Sequence, residues 1–352
     1  MLLQRPRFSS FFPSALLLLT AVLAGCQGPE QPTRSAAGRA NEFLFCHWNV
    51  ENFFDDHFDH RSQAGDKEYD AWFAENPTIL QEKLAHITEA MLKLNEGRGP
   101  DILGIVEVES LRAAELLKDA LNAKIQDPAF QYKHVLMKEV SGGRHIAPAI
   151  ITRLGVRGDR TRLHGRQQRI LEAHLVVDNK ELVIFESHWT SRLRPTGEHG
   201  REDYANKIYG EFHAMHKSNP RVDVLIAGDF NDTPEDISVT KHLHATGDIE
   251  AVRRDGPEPL LFDLFAGKDP ASFGTHYFHK WLIFDQIVVS PGMLDNENWS
   301  CDVDSARTVN TLYRPGDRLK RPWRFGSEND HFPQRGYSDH FPVTVRLRVH
   351  ES

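Results

Sequence analysis

Five apolar runs in this sequence end or begin on a residue that can bind a cation or carry a proton. Asn49 closes Phe43-Leu-Phe-Cys-His-Trp, and Glu107 closes Asp101-Ile-Leu-Gly-Ile-Val. Asp229 and Asn231 follow Val222-Asp-Val-Leu-Ile-Ala-Gly228. Asp285 interrupts Leu282-Ile-Phe-Asp-Gln-Ile-Val, and Asp339-His340 precede the run 341–349. Carboxylate and amide oxygens are the ligands that a hard cation such as Mg²⁺ prefers. Imidazole changes charge near neutral pH. Strand ends gathered at one rim would make an oxygen-rich site with a proton carrier beside it.

Each position has a narrower reading. Glu107 lies nearer the buried run than Glu109, its competitor for a cation; for either, a solvated strand end is the plainer alternative. In Ala227-Gly-Asp-Phe-Asn-Asp-Thr-Pro234, residues i and i+2 face one way. Asp229 can then hold a water and Asn231 an oxyanion, while Phe230 enters the core and Asp232 serves the turn. Adjacent residues point apart, so Asp285 rather than Asp339 is the expected partner that orients His340. His188, after Leu182-Val-Ile-Phe-Glu-Ser, can bind a phosphoryl oxygen or protonate a leaving group, with Arg192 as a second donor. The acidic loop 55–60 can be read as a metal clamp, with a structural or solvated loop as the plainer reading.

Such groups need regular elements to hold them. Leu80, Leu84, Ile87, Met91 and Leu94 recur at helical spacing. Ser110 is placed to cap a helix over 111–121, and 200–215 reads as another. Thr233, Pro234 and Asp236 have the pattern of a helix start with a returned capping bond. Strands are expected over 43–49, 101–106, 146–152, 170–177, 182–186, 222–227, 282–289 and 341–349. Asp178-Asn179 reads as a hairpin turn, and 55–77 as a loop. Strands outnumber crossover helices. The expected fold is therefore an α/β (α+β) four-layer sandwich, two mostly antiparallel β-sheets face to face with helices on both outer sides.

The totals bound the setting. Residues 1–25 combine Arg5 and Arg7 with a short apolar core, the pattern of an export signal. Leu23-Ala24-Gly25-Cys26 resembles a bacterial lipoprotein cleavage box, which implies a lipid on Cys26 and a membrane anchor. Gln27 favours the outer membrane, with the protein facing the periplasm or the cell surface. Residues 26–41 read as a tether, and 42–352 as one domain. Losing two arginines and no acid with the signal moves the formal charge from −8 to −10. That balance excludes a protein adapted as a whole to coat nucleic acid. Local positive fields remain: residues 153–169 hold six arginines and one acid, and Arg314, Arg318, Lys320, Arg321 and Arg324 form a second run. Each run is suited to rim a site or to lie in solvated loops. Cys46 and Cys301 are left as separate thiols or a bridge, and a monomer is the expected state.

Six blocks, in order, resemble the endonuclease/exonuclease/phosphatase superfamily with its deoxyribonuclease I-like fold. They are Trp48-Asn-Val-Glu-Asn-Phe-Phe-Asp55, Ile105-Val-Glu-Val-Glu-Ser110, His188-Trp-Thr-Ser-Arg192, Gly228-Asp-Phe-Asn-Asp232, Phe284-Asp-Gln-Ile-Val-Val-Ser290 and Gly336-Tyr-Ser-Asp-His-Phe-Pro-Val343. The resemblance implies in-line attack of water on phosphorus with no covalent enzyme intermediate. It places Glu107, Asn49 and Asp339 around Mg²⁺ or Mn²⁺, with Ca²⁺ as a further candidate. It gives Asp229 the attacking water, Asn231 the phosphoryl group, and His340 and His188 the donor roles, with Asp285 orienting His340. Asp229 ranks first as general base and His340 second. The implied substrate is a phosphate ester, with nucleic acid as a candidate partner; a small or lipid-linked phosphate ester is the alternative, and a catalytically silent binding module is a third reading. Val106 stands where many relatives carry Gln. His276-Tyr-Phe-His-Lys-Trp281 resembles a rim segment.

Overall fold

Alternation along one strand explains the layering. In β1 (Glu42–Phe53), Cys46, Trp48 and Val50 enter one core and Phe45 enters another. The computed structural model describes residues 41–140, 143–165, 169–254 and 256–351. The expected signal, Cys26 and most of the tether lie outside the described residues. The chain from Asn41 onward is a single unit, and no helix among the described residues is long and apolar enough to cross a membrane.

One sheet contains β1, β2 (Ile102–Val108), β3 (His134–Met137), β4 (Ala147–Thr152), and two late strands, β15 (Trp299–Thr308) and β16 (Val343–Val349). Their order is β15-β16-β1-β2-β4-β3, and only β1 and β2 run parallel. The second sheet holds β5 (Gly155–Val156), β6 (Arg162–His164), β7 (Ile170–Val177), β8 (Lys180–His188), β9 (Val224–Asp229), β10 (Ala245–Thr246), β11 (Leu261–Asp263) and β14 (Asp285–Val289). Its order is β10-β11-β14-β9-β8-β7-β5, with β6 beside β7. A separate hairpin joins β12 (His276–Phe278) to β13 (Lys280–Leu282). The sheets are mixed and mostly antiparallel, as expected.

Three apolar layers hold the stack together. The face of β1 bearing Trp48 packs with Tyr69, Trp72 and Phe73 of α1 (Ala64–Glu75), Leu84 and Ile87 of α2 (Pro77–Leu92), and Leu117 of α3 (Leu111–Asn122). Phe45, Ile150, Leu171, Ile184, Leu225, Ile287 and Val345 fill the space between the sheets. Beyond the second sheet, Phe185, Ile226 and Phe230 meet Tyr204, Ile208 and Phe212 of α4 (Gly197–Ser218). This is the four-layer sandwich.

Local expectations mostly hold. Ser110 Oγ accepts the Ala113 N–H at 3.0 Å, a cap that stabilises by about 1 kcal/mol. Asp178 and Asn179 both adopt positive φ, 49° and 62°, the hairpin geometry whose twist matches the flanking strands. Two expectations are corrected, and two strands carried no signal. The segment 55–77 contains α1, whose Tyr69, Trp72 and Phe73 lie three and four residues apart on the buried face; Asp66 and Asp70 are buried on it because they accept loop N–H groups. At Thr233 the returned bond from Asp236 is present at 2.6 Å, but the helical turn forms later, over Ser238–His242. The short strand β3 and the edge strand β15, with its irregular register between Asp302 and Arg307, lack a clean alternation signal. Cys46 and Cys301 are both free thiols.

Asp263 on β11 is buried; its carboxylate accepts the Phe265 N–H, and Oδ2 has no partner among the described residues. Burial pushes it up to about 7, against an ordinary 3.8. Below the lower value the group is neutral in both folded and unfolded chains. Between the two, only the unfolded chain ionises, so this group lowers stability as pH rises through that window and costs its full amount above it. The stability of Asp263→Asn relative to the parent should therefore increase from pH 5 to pH 8, as read by urea unfolding at each pH; a constant difference would contradict the assignment.

Candidate active site

Strand direction brings the polar ends together. β1 runs parallel to β2, and β8 runs parallel to β9 with His188 opposite Asp229. β14 is antiparallel to β9 and starts with Asp285 opposite Asp229. β16 is antiparallel to β1, so the chain arrives through Asp339 and His340 beside the end of β1. All eight sequence-predicted residues therefore lie along one rim. Asn49, Glu107, Asp339 and His340 come with the first sheet. His188, Asp229, Asn231 and Asp285 come with the second.

Asp229 is at the centre. Its Oδ2 accepts Asn49 Nδ2 at 3.0 Å and lies 3.5 Å from His188 Nε2 and 3.7 Å from His340 Nε2. Its Oδ1 accepts the Asn231 N–H at 2.9 Å, fixing a turn in which Asn231 has φ 53°. Asn231 Nδ2 donates to the Trp189 carbonyl at 3.2 Å, while Phe230 stacks on Trp189 with centroids 4.2 Å apart. Gly228 is needed because a methyl group there would overlap the Ser187 carbonyl of the next strand. The close approach is between strands β8 and β9.

His340 is oriented from two sides. Its Nδ1 meets Asp285 Oδ2 at 2.7 Å, and its carbonyl accepts Trp48 Nε1–H at 2.9 Å. Thr275 Oγ1 accepts the N–H groups of Phe284 and Asp285, both at 3.1 Å. Burial opposes a charge on His340, but the Asp285 and Asp229 carboxylates outweigh it and hold the imidazole well above its ordinary value. Burial opposes the charge on Asp285 too, and His340 outweighs it, keeping the carboxylate ionised. Asp339 is no partner to the His340 ring. Its carbonyl meets His276 Nδ1 at 3.0 Å, and its carboxylate is held below the usual range because His340, His276 and Arg324 overcome burial.

Asn49 Nδ2 also reaches Glu107 Oε1 at 3.3 Å, and its Oδ1 accepts the Glu51 N–H at 3.0 Å. Glu107 Oε2 accepts the Asn52 N–H at 2.8 Å. Glu51, Asn52, Glu107 and Asn231 all have positive φ without being glycine, a conformation that costs roughly 1–3 kcal/mol each and concentrates at functional sites.

The rim fits a hard cation. His276, Asp339 and His340 have ligand atoms within 4.8 Å of one another, as do Asp229, Asp285 and His340. Glu107 is in neither group, but burial pulls the Lys83 ammonium down to about 8 while Glu51, Asp339 and Glu107 all oppose that fall, so the three carboxylates share one neighbourhood. Burial, with Asp339 close by, pushes Glu51 up to about 7. A cation would relieve that crowding. The amide oxygen of Asn49 keeps a second lone pair for one.

Sequence reasoning missed Glu51, Lys83 and the buried pair His47 and Glu186, whereas Arg324 belongs to a run read as a candidate rim. Lys83 sits on the apolar face of α2, three residues from Leu80, and that misplaced charge was the available signal. Arg192, expected as a phosphate donor, instead binds the Asn231 carbonyl at 2.7 Å and Asp232 Oδ1 at 2.8 Å. Asp232 does more than serve the turn: it also pairs with Arg201 at 2.7 Å and accepts Ser238 Oγ at 2.6 Å. In the arginine-rich stretch, Arg153 is buried on the carbonyls of Arg98 and Pro100. Arg157 and Arg160 pair with Glu181, and Arg166 lies outside the described residues. From the second run, Arg324 reaches Glu51 at 2.9 Å and Asp339 at 4.0 Å. The loop at 55–60 is structural, with Asp55 bonded to Ser110 and Asp56 to Arg112.

The model of the endonuclease/exonuclease/phosphatase family matches residues 45–349. The chain belongs to that family. It is therefore a phosphoesterase-type hydrolase acting on phosphate esters, and its acidic and histidine groups could bind the divalent metal that enzymes of the family use. Among solved structures it is similar to a truncated TDP2 from Caenorhabditis elegans, with 16% identity over 88% of this chain and 98% of that one, TM-score 0.52. An endonuclease/exonuclease/phosphatase family protein from Bacteroides thetaiotaomicron gives 15% identity over 88% and 98%, TM-score 0.51. D. rerio TDP2, complexed with a single-strand DNA product, gives 14% over 88% and 99%, TM-score 0.50. These likenesses speak for the fold. A search of curated proteins finds no match.

Lys83 is fully buried and donates to the carbonyls of Glu51 and Tyr337, both at 3.1 Å, with its ammonium over the Phe325 ring. Lys83→Ala should cost about 3 kcal/mol, because it leaves buried Glu51 with Arg324 as its one cation among the described residues and strips the Glu51 and Tyr337 carbonyls of their buried donor. Lys93→Ala, which removes an exposed pair with Glu89, should cost below about 0.5 kcal/mol. Urea unfolding of both variants checks this; equal costs would refute the buried role.

Proposed function

We propose that this chain is a divalent-metal-dependent phosphodiester hydrolase with nuclease-like activity, exported and held at a membrane by lipid on Cys26. The observation that carries the reading is the single oxygen of Asp229 faced by Asn49, His188 and His340. A carboxylate among these donors can hold a water next to a bound phosphate. His340, kept cationic by Asp285 and Asp229, serves as a donor rather than a base, which leaves Asp229 as the proton acceptor. As the water oxygen bonds to phosphorus, its proton passes to Asp229 and the bond to the ester oxygen breaks in line. His188 or His340 supplies a proton to the leaving oxygen, while Asn231 and the other imidazole donate to the equatorial oxygens. Glu107, Asn49 and Asp339 would hold Mg²⁺ or Mn²⁺, with Ca²⁺ as a further candidate, and the cation would polarise the phosphoryl group and offset charge on the leaving oxygen.

A second reading, hydrolysis of a small or lipid-linked phosphate ester, is favoured by the arginines. Arg153, Arg157, Arg160 and Arg192 spend their charge on partners within the protein, and the total charge is −8. A long polyanion would find little free positive surface there. Monomeric action at the outer membrane, facing the periplasm or the cell surface, completes the proposal.

The test is a screen with Mg²⁺ or Mn²⁺ against plasmid DNA, RNA, nucleotides, bis-p-nitrophenyl phosphate and phospholipids; no cleavage of any would refute it. Asp229→Ala and His340→Ala should each lower turnover by at least about 10²-fold, the scale of positioned acid–base groups, and near-parental turnover in both would remove their roles. Cys26→Ser should move the protein from the membrane fraction to the soluble one.

A further inference from the structure

Behind the Asp285–His340 pair, between the two sheets, lies a second histidine flanked by carboxylates. His47, on β1, meets Glu186 Oε1 of β8 through Nδ1. Through Nε2 it meets Asp285 Oδ1 of β14 at 3.2 Å. His47, Glu186 and Asp285 are each 0% exposed. The other oxygen of Asp285 is the one that meets His340. Glu186, His47, Asp285 and His340 thus form one chain of contacts that crosses from the second sheet to the first, back, and out to the rim.

The fold makes specific room for this chain. Gly104 on β2 stands opposite His47, and a methyl group at 104 would overlap the Glu186 carboxylate. Burying an ion costs several kcal/mol, and apolar side chains of similar volume usually fill such a space at lower cost. The surroundings are apolar, with Phe45 on the same face of β1 and Ile184 two residues before Glu186 on β8. Stability is therefore a poor reason for the arrangement.

Geometry supplies a better one. Thr275 fixes the backbone at Asp285, but the carboxylate plane turns about a broad terminal torsion. One bond to His340 leaves that rotation free; bonds on both oxygens stop it. We propose that His47 and Glu186 are positioning residues that act through Asp285, Glu186 fixing the His47 ring and His47 fixing the carboxylate plane that aims His340 at the phosphate. The inference rests on the reading of His340 as a working group of a phosphoesterase.

The test uses the full chain in detergent, with bis-p-nitrophenyl phosphate as substrate. His47→Leu should lower kcat by roughly tenfold or more and leave KM within about twofold, as expected when a reacting group is misaimed. His47→Gln, which keeps a donor toward Asp285, should restore most of that loss. In an Asp285→Asn background His47→Leu should add nothing. If His47→Leu fails to fold, Glu186→Gln takes its place, with a kcat loss of at least about threefold at unchanged KM expected. A second readout needs no activity: the NMR signal of the His340 Nδ1–H should sharpen or persist in the parent and His47→Gln, and shift or broaden in His47→Leu or Glu186→Gln. Parental kcat in a folded variant, a loss that persists undiminished in the Asp285→Asn background, or an unmoved His340 signal would each overturn the proposal. A parent without phosphoesterase activity would defeat the functional reading alone, and the NMR comparison would then decide the positioning.

Discussion

Strand register is the constraint on which this site depends. β9 pairs with β14 so that Asp229 lies opposite Asp285, and with β8 so that Asp229 lies opposite His188. Because side chains alternate along a strand, a slip of one residue would turn each of these groups to the other face. The apolar layers resist that slip. Ile226 and Phe185 must meet α4 while Leu225 and Ile184 meet the other sheet. The packing that fixes the fold thereby fixes which side chains meet, and hydrogen bonds between them set which oxygen faces which nitrogen.

Much of this was legible in the sequence because it follows from local pattern. Apolar runs ending on acids and amides located the rim, and alternation identified Asp285, not Asp339, as the group beside the His340 ring. The fold class followed from the count of strands against helices. What escaped depends on contacts between distant segments. Glu51 falls after the last regular pair of β1 and β2, in backbone of positive φ, where alternation no longer predicts direction. Asp66 and Asp70 gave 55–77 the look of a solvated loop, although their carboxylates are buried against N–H groups. The arginines of 153–169 read equally as a phosphate rim or as solvated loops, and only the structure shows that acids and carbonyls already hold Arg153, Arg157, Arg160 and Arg169. His47 and Glu186 are 139 positions apart, and no short-range signal joins them.

The charges of the site are organised in two groups. Beside the first sheet, the Glu51 and Asp339 carboxylates are balanced by Arg324 and by buried Lys83, whose ammonium burial pulls down to about 8. Toward the interior, Asp285 and Glu186 are balanced by His340 and His47; His47 is raised to about 10 because the two carboxylates outweigh the burial that would pull it down. Within these two groups each buried carboxylate has a basic neighbour, which offsets the cost of a charge in the low dielectric of the interior. Asp229 stands where the groups meet.

Half of the rim is carried by each sheet, and among the described residues no hydrogen-bonded strand ladder joins the two sheets. Their alignment is therefore a property of the oily layer between the sheets, where Phe45, Ile150, Leu225 and Val345 interlock. A small glide of one sheet across the other would leave every strand and helix intact while parting Asn49 from Asp229 and His340 from Asp285. The molecule would then be inert yet spectroscopically native, so heat or pressure should silence it before it melts.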